Sequence, residues 1–161
     1  MLSLKPEEDR ELRELLTKLA KDSKAKIIFF VDKAGQLISR SESPAFSSDD
    51  VTFASLTAGN VAASEALSKL LGESNLSHMF TETENEGIYM IVINGKYILV
   101  VIFDKRVSNL GIVRLKVKKY YAKILGIMER VERRIKEETM VSEAIDVDDI
   151  DLDSLFESGD S

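Results

Sequence analysis

Apolar positions along the chain recur at two periods, about 3.6 and about 2 residues, and their succession predicts the architecture. Over Lys5–Lys21 the leucines Leu12, Leu15, Leu16 and Leu19 fall on one helical face. Pro6 suits the first turn, and Glu7, Glu8 and Asp9 lie near the positive end of the helix dipole. Lys26–Val31 (KIIFFV) is short, β-branched and aromatic, which predicts a buried central strand. Asp32-Lys33-Ala34-Gly35 predicts a tight turn, with Gln36–Ser41 returning as the second strand of a hairpin. A second helix follows over Val51–Leu71, entered through Ser48 or Asp49 as N-cap and ended by Gly72. Met79–Thr83, Gly87–Ile93 and Lys96–Phe103 supply three more strands, the last two joined by the hairpin signal Asn94-Gly95. Leu110–Lys136 is the final helix, with Val113, Val117, Tyr120, Tyr121, Ile124, Ile127, Met128, Val131 and Ile135 at helical spacing.

The order α-β-β-α-β-β-β-α predicts an α+β fold, one five-stranded antiparallel sheet flanked by three helices, with too few helices for a doubly wound parallel sheet. The second helix departs from an ordinary surface helix. Wound at about 100° per residue, Phe53, Leu56, Asn60, Ala63, Leu67, Leu70 and Leu71 form one stripe, which reads as core-facing. The opposite side collects Ser55, Ala58, Gly59, Ala62 and Ala66, with only Glu65 and Lys69 charged. Small side chains let a second backbone approach, so this side is either buried within its own domain or used for an intermolecular contact.

Charge divides the chain. Residues 1–136 hold all 22 Lys and Arg against 18 acids, a net +4, whereas residues 137–161 hold 10 acids and no base, a net −10. The first segment is read as the domain and the second as a disordered acidic tail containing a short amphipathic docking motif, Ile150, Leu152, Leu155 and Phe156. With no cysteine there is no disulfide framework and no thiolate nucleophile. The N-terminal stretch has no apolar run fit for a signal peptide, and Ile27–Val31 and Ile98–Phe103 fall far short of the roughly 20 residues that span a bilayer. A cytoplasmic protein without membrane insertion is the expectation.

Chemistry-bearing motifs are absent. There is no G-x-x-x-x-G-K-[ST] and no G-x-G-x-x-G, so the chain is not expected to bind or hydrolyse nucleotide itself. His78 is the single histidine and receives no catalytic role. The acids of the tail lack the glycine that a Ca²⁺ loop needs at its sixth position, so no metal is expected. Arg114, Lys116, Lys118, Lys119 and Lys123 form a basic cluster on the final helix. A basic stripe lacking an aromatic stacking pattern is weak evidence for nucleic acid, and a protein partner or the acidic tail is favoured.

The hairpin KIIFFVDKAGQLIS, the helix ASLTAGNVAASEALSKLLGE and the passage NGKYILVVIFD…LGIVRLKVKK, in that order, resemble the roadblock/LC7 family, and within it the MglB-type regulators of bacterial gliding motility. The match covers about residues 8–125, and the ending DDIDLDSLFES also resembles an MglB-type tail. The resemblance implies a roadblock/LC7 fold in a homodimer whose sheets join edge to edge with their second helices side by side. It implies as partner an MglA-type small Ras-like GTPase, held by two copies of this chain, whose GTP hydrolysis is stimulated by repositioning its switch residues. GTP and Mg²⁺ would be carried by that partner, and this chain would have no cofactor and no catalytic residue. Arg40, Arg106 and Arg114 are each conceivable arginine fingers, but the resemblance argues against that device. By position, Ser55, Ala58, Gly59, Ala62, Glu65, Ala66 and Lys69 are the candidates for the GTPase or dimer interface. The implied setting is cell polarity and motility, with concentration at a cell pole, and the tail is associated with nucleotide exchange. The alternative reading is a roadblock-type scaffold that recruits partners without changing nucleotide turnover.

Overall fold

The computed structural model describes residues 2–158 apart from 45, 47, 48 and 74, with side chains described through residue 146. The elements are α1 (Pro6–Ser23), β1 (Ile27–Asp32), β2 (Leu37–Arg40), α2 (Asp50–Leu70), β3 (His78–Glu82), β4 (Glu86–Ile93), β5 (Tyr97–Asp104) and α3 (Leu110–Ser158). The chain divides into two compact units, Met1–Leu125 and Gly126–Ser161, and the dividing point lies inside α3.

In the first unit the strands form one sheet in the order β2-β1-β5-β4-β3, every neighbouring pair antiparallel. The central strand β5 and its neighbour β1 are buried along almost their whole length, which is why their sequences are continuous apolar runs rather than alternating ones. The β4–β5 turn has Asn94 at φ 53° and Gly95 at φ 66°, the pair of left-handed residues that an Asn-Gly hairpin requires. Alternate residues face opposite layers. Ile27, Phe29, Val31, Met90, Ile98, Val100 and Ile102 pack with Ala54, Ala58 and Val61 of α2. The other layer holds α1 and the start of α3, tied together by two polar contacts. The Tyr120 hydroxyl donates to Asp22, and the Ser108 hydroxyl donates to the Ser23 carbonyl at 2.7 Å.

Local chemistry sets the element ends. Pro6 opens α1 and the Glu8 carboxylate accepts from the Lys5 N–H at 2.8 Å; Lys24 closes it in the left-handed region. Asp49 caps α2 by accepting from the Thr52 N–H, and Gly72 lies just beyond its end at φ 79°. Asn109 accepts from the Ile112 N–H at 3.0 Å and so starts α3. Ser41 extends the β1–β2 pairing by one step: its N–H donates to the Ile28 carbonyl and its hydroxyl accepts from the Ile28 N–H.

The second unit is the remainder of α3. The helix does not end at Lys136, as periodicity predicts, but is drawn through to Ser158. The physical reason is local. No glycine or proline interrupts residues 127–158, and Arg134 pairs with Glu138 at 3.1 Å one turn on. Change of net charge is therefore not a helix stop. Met140, Val141 and Ile145 on this stretch are more than half exposed. The side chains of the expected docking motif, Ile150, Leu152, Leu155 and Phe156, lie outside the described residues.

Two tests follow from this packing. Gly87 pairs with Phe103, whose ring lies over the glycine; a Cβ at Gly87 would stand 2.4 Å from it. Gly87→Val is therefore expected to cost about 1–3 kcal/mol in urea denaturation, by displacing a fully packed ring. Asp104 accepts hydrogen bonds from the Arg106 side chain and backbone N–H, which lower its pKa from 3.8 to about 2. A depressed carboxyl contributes stability that is complete above its unfolded pKa and is lost as pH falls through the folded value. Denaturation midpoints should thus fall between about pH 4 and about pH 2, and Asp104→Asn should make that dependence shallower.

Candidate interface on the second helix

α2 is held against the sheet by a contact that only small residues permit. Gly35, in the β1–β2 turn at φ 92°, sits so close to the helix that a Cβ there would lie 3.2 Å from the Ser55 Cα and 3.6 Å from the Ala58 Cβ. Ala54 is fully buried and Ala58 is 8% exposed. Around this contact Phe53 stacks on Phe29 with ring centroids 4.4 Å apart, and Phe29 meets Phe46 edge-on. Arg40 lies over the opposite part of the same cluster, 5.4 Å from the Phe29 centroid, and donates to both carboxylate oxygens of Asp50 at 2.8 and 2.9 Å. Lys33 of the turn pairs with Glu65 further along the helix.

The helical phase is therefore different from the one expected. The inward stripe is Ala54, Thr57, Ala58 and Val61, with Phe53, Ser64, Glu65 and Ser68 half-buried. Leu56, Asn60, Ala63, Leu67, Leu70 and Leu71, assigned above to the core, are exposed, and Leu70 is 84% so. Ala58, assigned to the interface, is a core residue. Of the other interface candidates, Ser55, Gly59, Ala62, Ala66 and Lys69 are exposed, whereas Glu65 is tied sideways to the hairpin turn. The cause of the difference is that α2 is apolar nearly all round, so hydrophobicity alone does not set its phase. The inward spacing 54, 57, 58 and 61 is present in the sequence, but the leucines outweigh it.

The exposed side of α2 combines leucines with small residues: Leu56, Gly59, Ala62, Ala63, Ala66 and Leu67 stand together on it. Apart from the adjoining turns of its own helix, no described atom lies within 4 Å of where a Gly59 Cβ would be. Large contiguous exposed apolar surface marks association sites, and small residues let a partner backbone come close. β3 is one edge of the sheet, and its residues are exposed or half-buried. Leu76 and Met79 nevertheless pack on the α2-side core. The first unit thus offers two surfaces suited to association, a helix face and a strand edge.

Among the described residues no three His, Cys, Asp or Glu come together as a metal cluster would require. His78 contacts the Ser77 hydroxyl at 3.2 Å and lies near the Tyr89 ring. Of the conceivable arginine fingers, Arg40 is paired with Asp50 and Arg106 with Asp104, and the exposed Arg114 lines a cleft with Tyr89.

Residues 11–103 match the Roadblock/LC7 domain family. The structure resembles Myxococcus xanthus MglB, with 42% identity, a TM-score of 0.69, and coverage of 74% of this chain and 95% of that one. It also resembles the gliding protein MglB from Thermus thermophilus, with 28% identity, a TM-score of 0.72, and coverage of 80% and 96% respectively. A structure described as MglB with tetrameric arrangement matches at 27% identity and a TM-score of 0.73 over 81% of this chain and 96% of that one. No curated protein matches the sequence.

The corrected phase of α2 makes a pair of substitutions diagnostic. Ala58→Arg should lose about 3 kcal/mol or more of stability, because it forces a long cation into the contact with Gly35. Ala62→Arg, one turn on and exposed, should change the chemical-denaturation midpoint by no more than about 0.5 kcal/mol. Equal losses in the two variants would show that the phase is wrong.

Proposed function

The chain belongs to the Roadblock/LC7 family, and from that premise we propose that it is a homodimeric regulator that binds an MglA-type small Ras-like GTPase and stimulates its GTP hydrolysis. Similarity to solved MglB structures supports a roadblock-type regulator of gliding motility. The observation that carries the finer reading is the outward side of α2, where Leu56 and Leu67 are 69% and 63% exposed beside Gly59, Ala62, Ala63 and Ala66. Covering one such leucine stabilises a complex by about 1.5–3 kcal/mol, so a face of this kind is large enough to hold a partner. Two copies of α2, side by side, would build a platform, with the β3 edges extending it through strand pairing.

Stimulation would then be mechanical. A rigid platform bears on the switch segments of the GTPase and holds its own water-positioning residue in place, so that GTP and Mg²⁺ are supplied by the GTPase and no residue of this chain reaches the phosphate. The pairing of Arg40 with Asp50 and of Arg106 with Asp104 supports a mechanism without a finger. Ser55, Gly59, Ala62, Ala66 and Lys69, with Leu56, Ala63 and Leu67, are assigned to the surface shared by the twin copy and the GTPase. Ala58, being buried, does not belong to that surface. No helix among the described residues is long and apolar enough to cross a membrane, and the proposed place of action is the cytoplasm, concentrated at a cell pole.

Single-turnover GTP hydrolysis by an MglA-type GTPase, with and without this protein, tests the proposal. Acceleration of at least about tenfold, equivalent to about 1.4 kcal/mol off the barrier, is expected. Leu67→Arg should abolish both the acceleration and the dimer seen by sedimentation while leaving the protomer folded. Binding without acceleration would leave a recruiting scaffold in place of an activator.

A further inference from the structure

The face of the sheet opposite α2 carries a second feature that the interface does not use. A cleft of about 520 Å³ lies between β4 and the first turns of α3. Tyr89 and Val117 line its buried part, at 4% and 1% exposure, and Ile91 and the 65% exposed Leu115 extend its apolar wall. Arg114 and Lys118, one helical turn apart and both exposed, bring positive charge to it, and the lining includes no carboxylate. Burial raises the Tyr89 phenol above its ordinary pKa, and the positive charge of Arg114 nearby works against that rise. The cleft along α1 is different in kind, since Arg10, Arg13 and Lys18 there are interleaved with Asp9, Glu14 and Glu42. Cations of one sign beside an apolar floor fit a ligand with carboxylates and aliphatic or aromatic groups in close alternation.

The chain itself contains such a ligand. Residues 137–161 hold 10 acids and no base, and Ile150, Leu152, Leu155 and Phe156 are interspersed among Asp149, Asp151, Asp153 and Glu157. We propose that the cleft formed by Tyr89, Ile91, Arg114, Leu115, Val117 and Lys118 is a docking groove for the acidic segment 143–158 of a second copy of this chain. The donor is a second copy because Arg114, Leu115 and Lys118 belong to the first turns of the helix that carries the segment, and a continuous helix does not return to its own first turns. The contact neutralises the basic stripe of one copy with the acids of another. It gives the tail a receptor independent of the α2 surface.

A fluorescein-labelled peptide of residues 143–158, titrated into the full-length protein and followed by anisotropy, tests the assignment. Saturable binding that weakens as salt is raised is expected. Lys118→Glu and Arg114→Glu should each weaken it about tenfold or more, and Lys123→Glu, outside the cleft on the same helix, should not. Replacing Leu155 and Phe156 of the peptide by alanine should weaken it comparably. Unlabelled full-length protein carrying Lys118→Glu and Arg114→Glu, which keeps its tail but not its groove, should displace the peptide from the wild-type protein. Absence of binding, indifference to Lys118→Glu and Arg114→Glu, or equal binding of a poly-glutamate peptide would overturn the groove. Failure of the groove-defective, tail-bearing protein to displace the peptide would overturn the assignment to a second copy.

Discussion

The close approach of α2 to the β1–β2 turn is the constraint on which the candidate surface depends. Gly35 has no side chain and occupies a left-handed conformation, so the turn can sit directly over Ser55 and Ala58. That contact, reinforced by Phe29 stacking on Phe53 and by Arg40 bound to Asp50, selects Ala54, Ala58 and Val61 as the buried stripe. Once the alanines are inside, helical geometry leaves the leucines outside. An exposed apolar face is thus the consequence of using small residues for packing within the protomer.

Polar groups in the first unit are arranged to hold the scaffold, and this bears on how it can act. Arg40 and Arg106 are each bound to a carboxylate, and Ser41, Ser108 and Tyr120 close gaps between elements. Such an organisation gives the first unit a fixed shape for a partner to meet. In the proposed function the chemistry would belong to the GTPase, and the platform would set the arrangement in which the GTPase's own residues are held.

The two faces of the sheet differ in character. On one side the outward surface of α2 is apolar and bears few charges; on the other, the start of α3 bears Arg114, Lys118, Lys119 and Lys123 on its exposed side. Hydrophobic burial suits a persistent partner, whereas a cationic cleft suits an exchangeable, salt-sensitive one. The acidic end of the chain is complementary to the second kind of surface, which separates the proposed tail contact from the proposed dimer and GTPase contacts physically as well as spatially.

Much of the fold is legible in the sequence because its signals are local. Pro6, Asp49, Asn94-Gly95 and the runs KIIFFV and YILVVIF each act on neighbouring backbone, and each stands where local chemistry puts it. The roadblock/LC7 resemblance is carried by the same segments and by their order. The existence of an unusual helix at 51–71 is equally legible, from Gly59 and the alanines. Which side of it faces out is not, because in a helix apolar all round the phase is set by what the sheet and the Gly35 turn can accommodate at close range. The end of α3 differs from expectation for the opposite reason: a change in charge resembles a boundary, yet the backbone there meets no glycine or proline to stop it. The sequence by itself determined the elements, their order and the family; tertiary packing alone decided that Ala58 lies inside and Leu56 and Leu67 outside, since that choice rests on contacts between residues far apart in the chain.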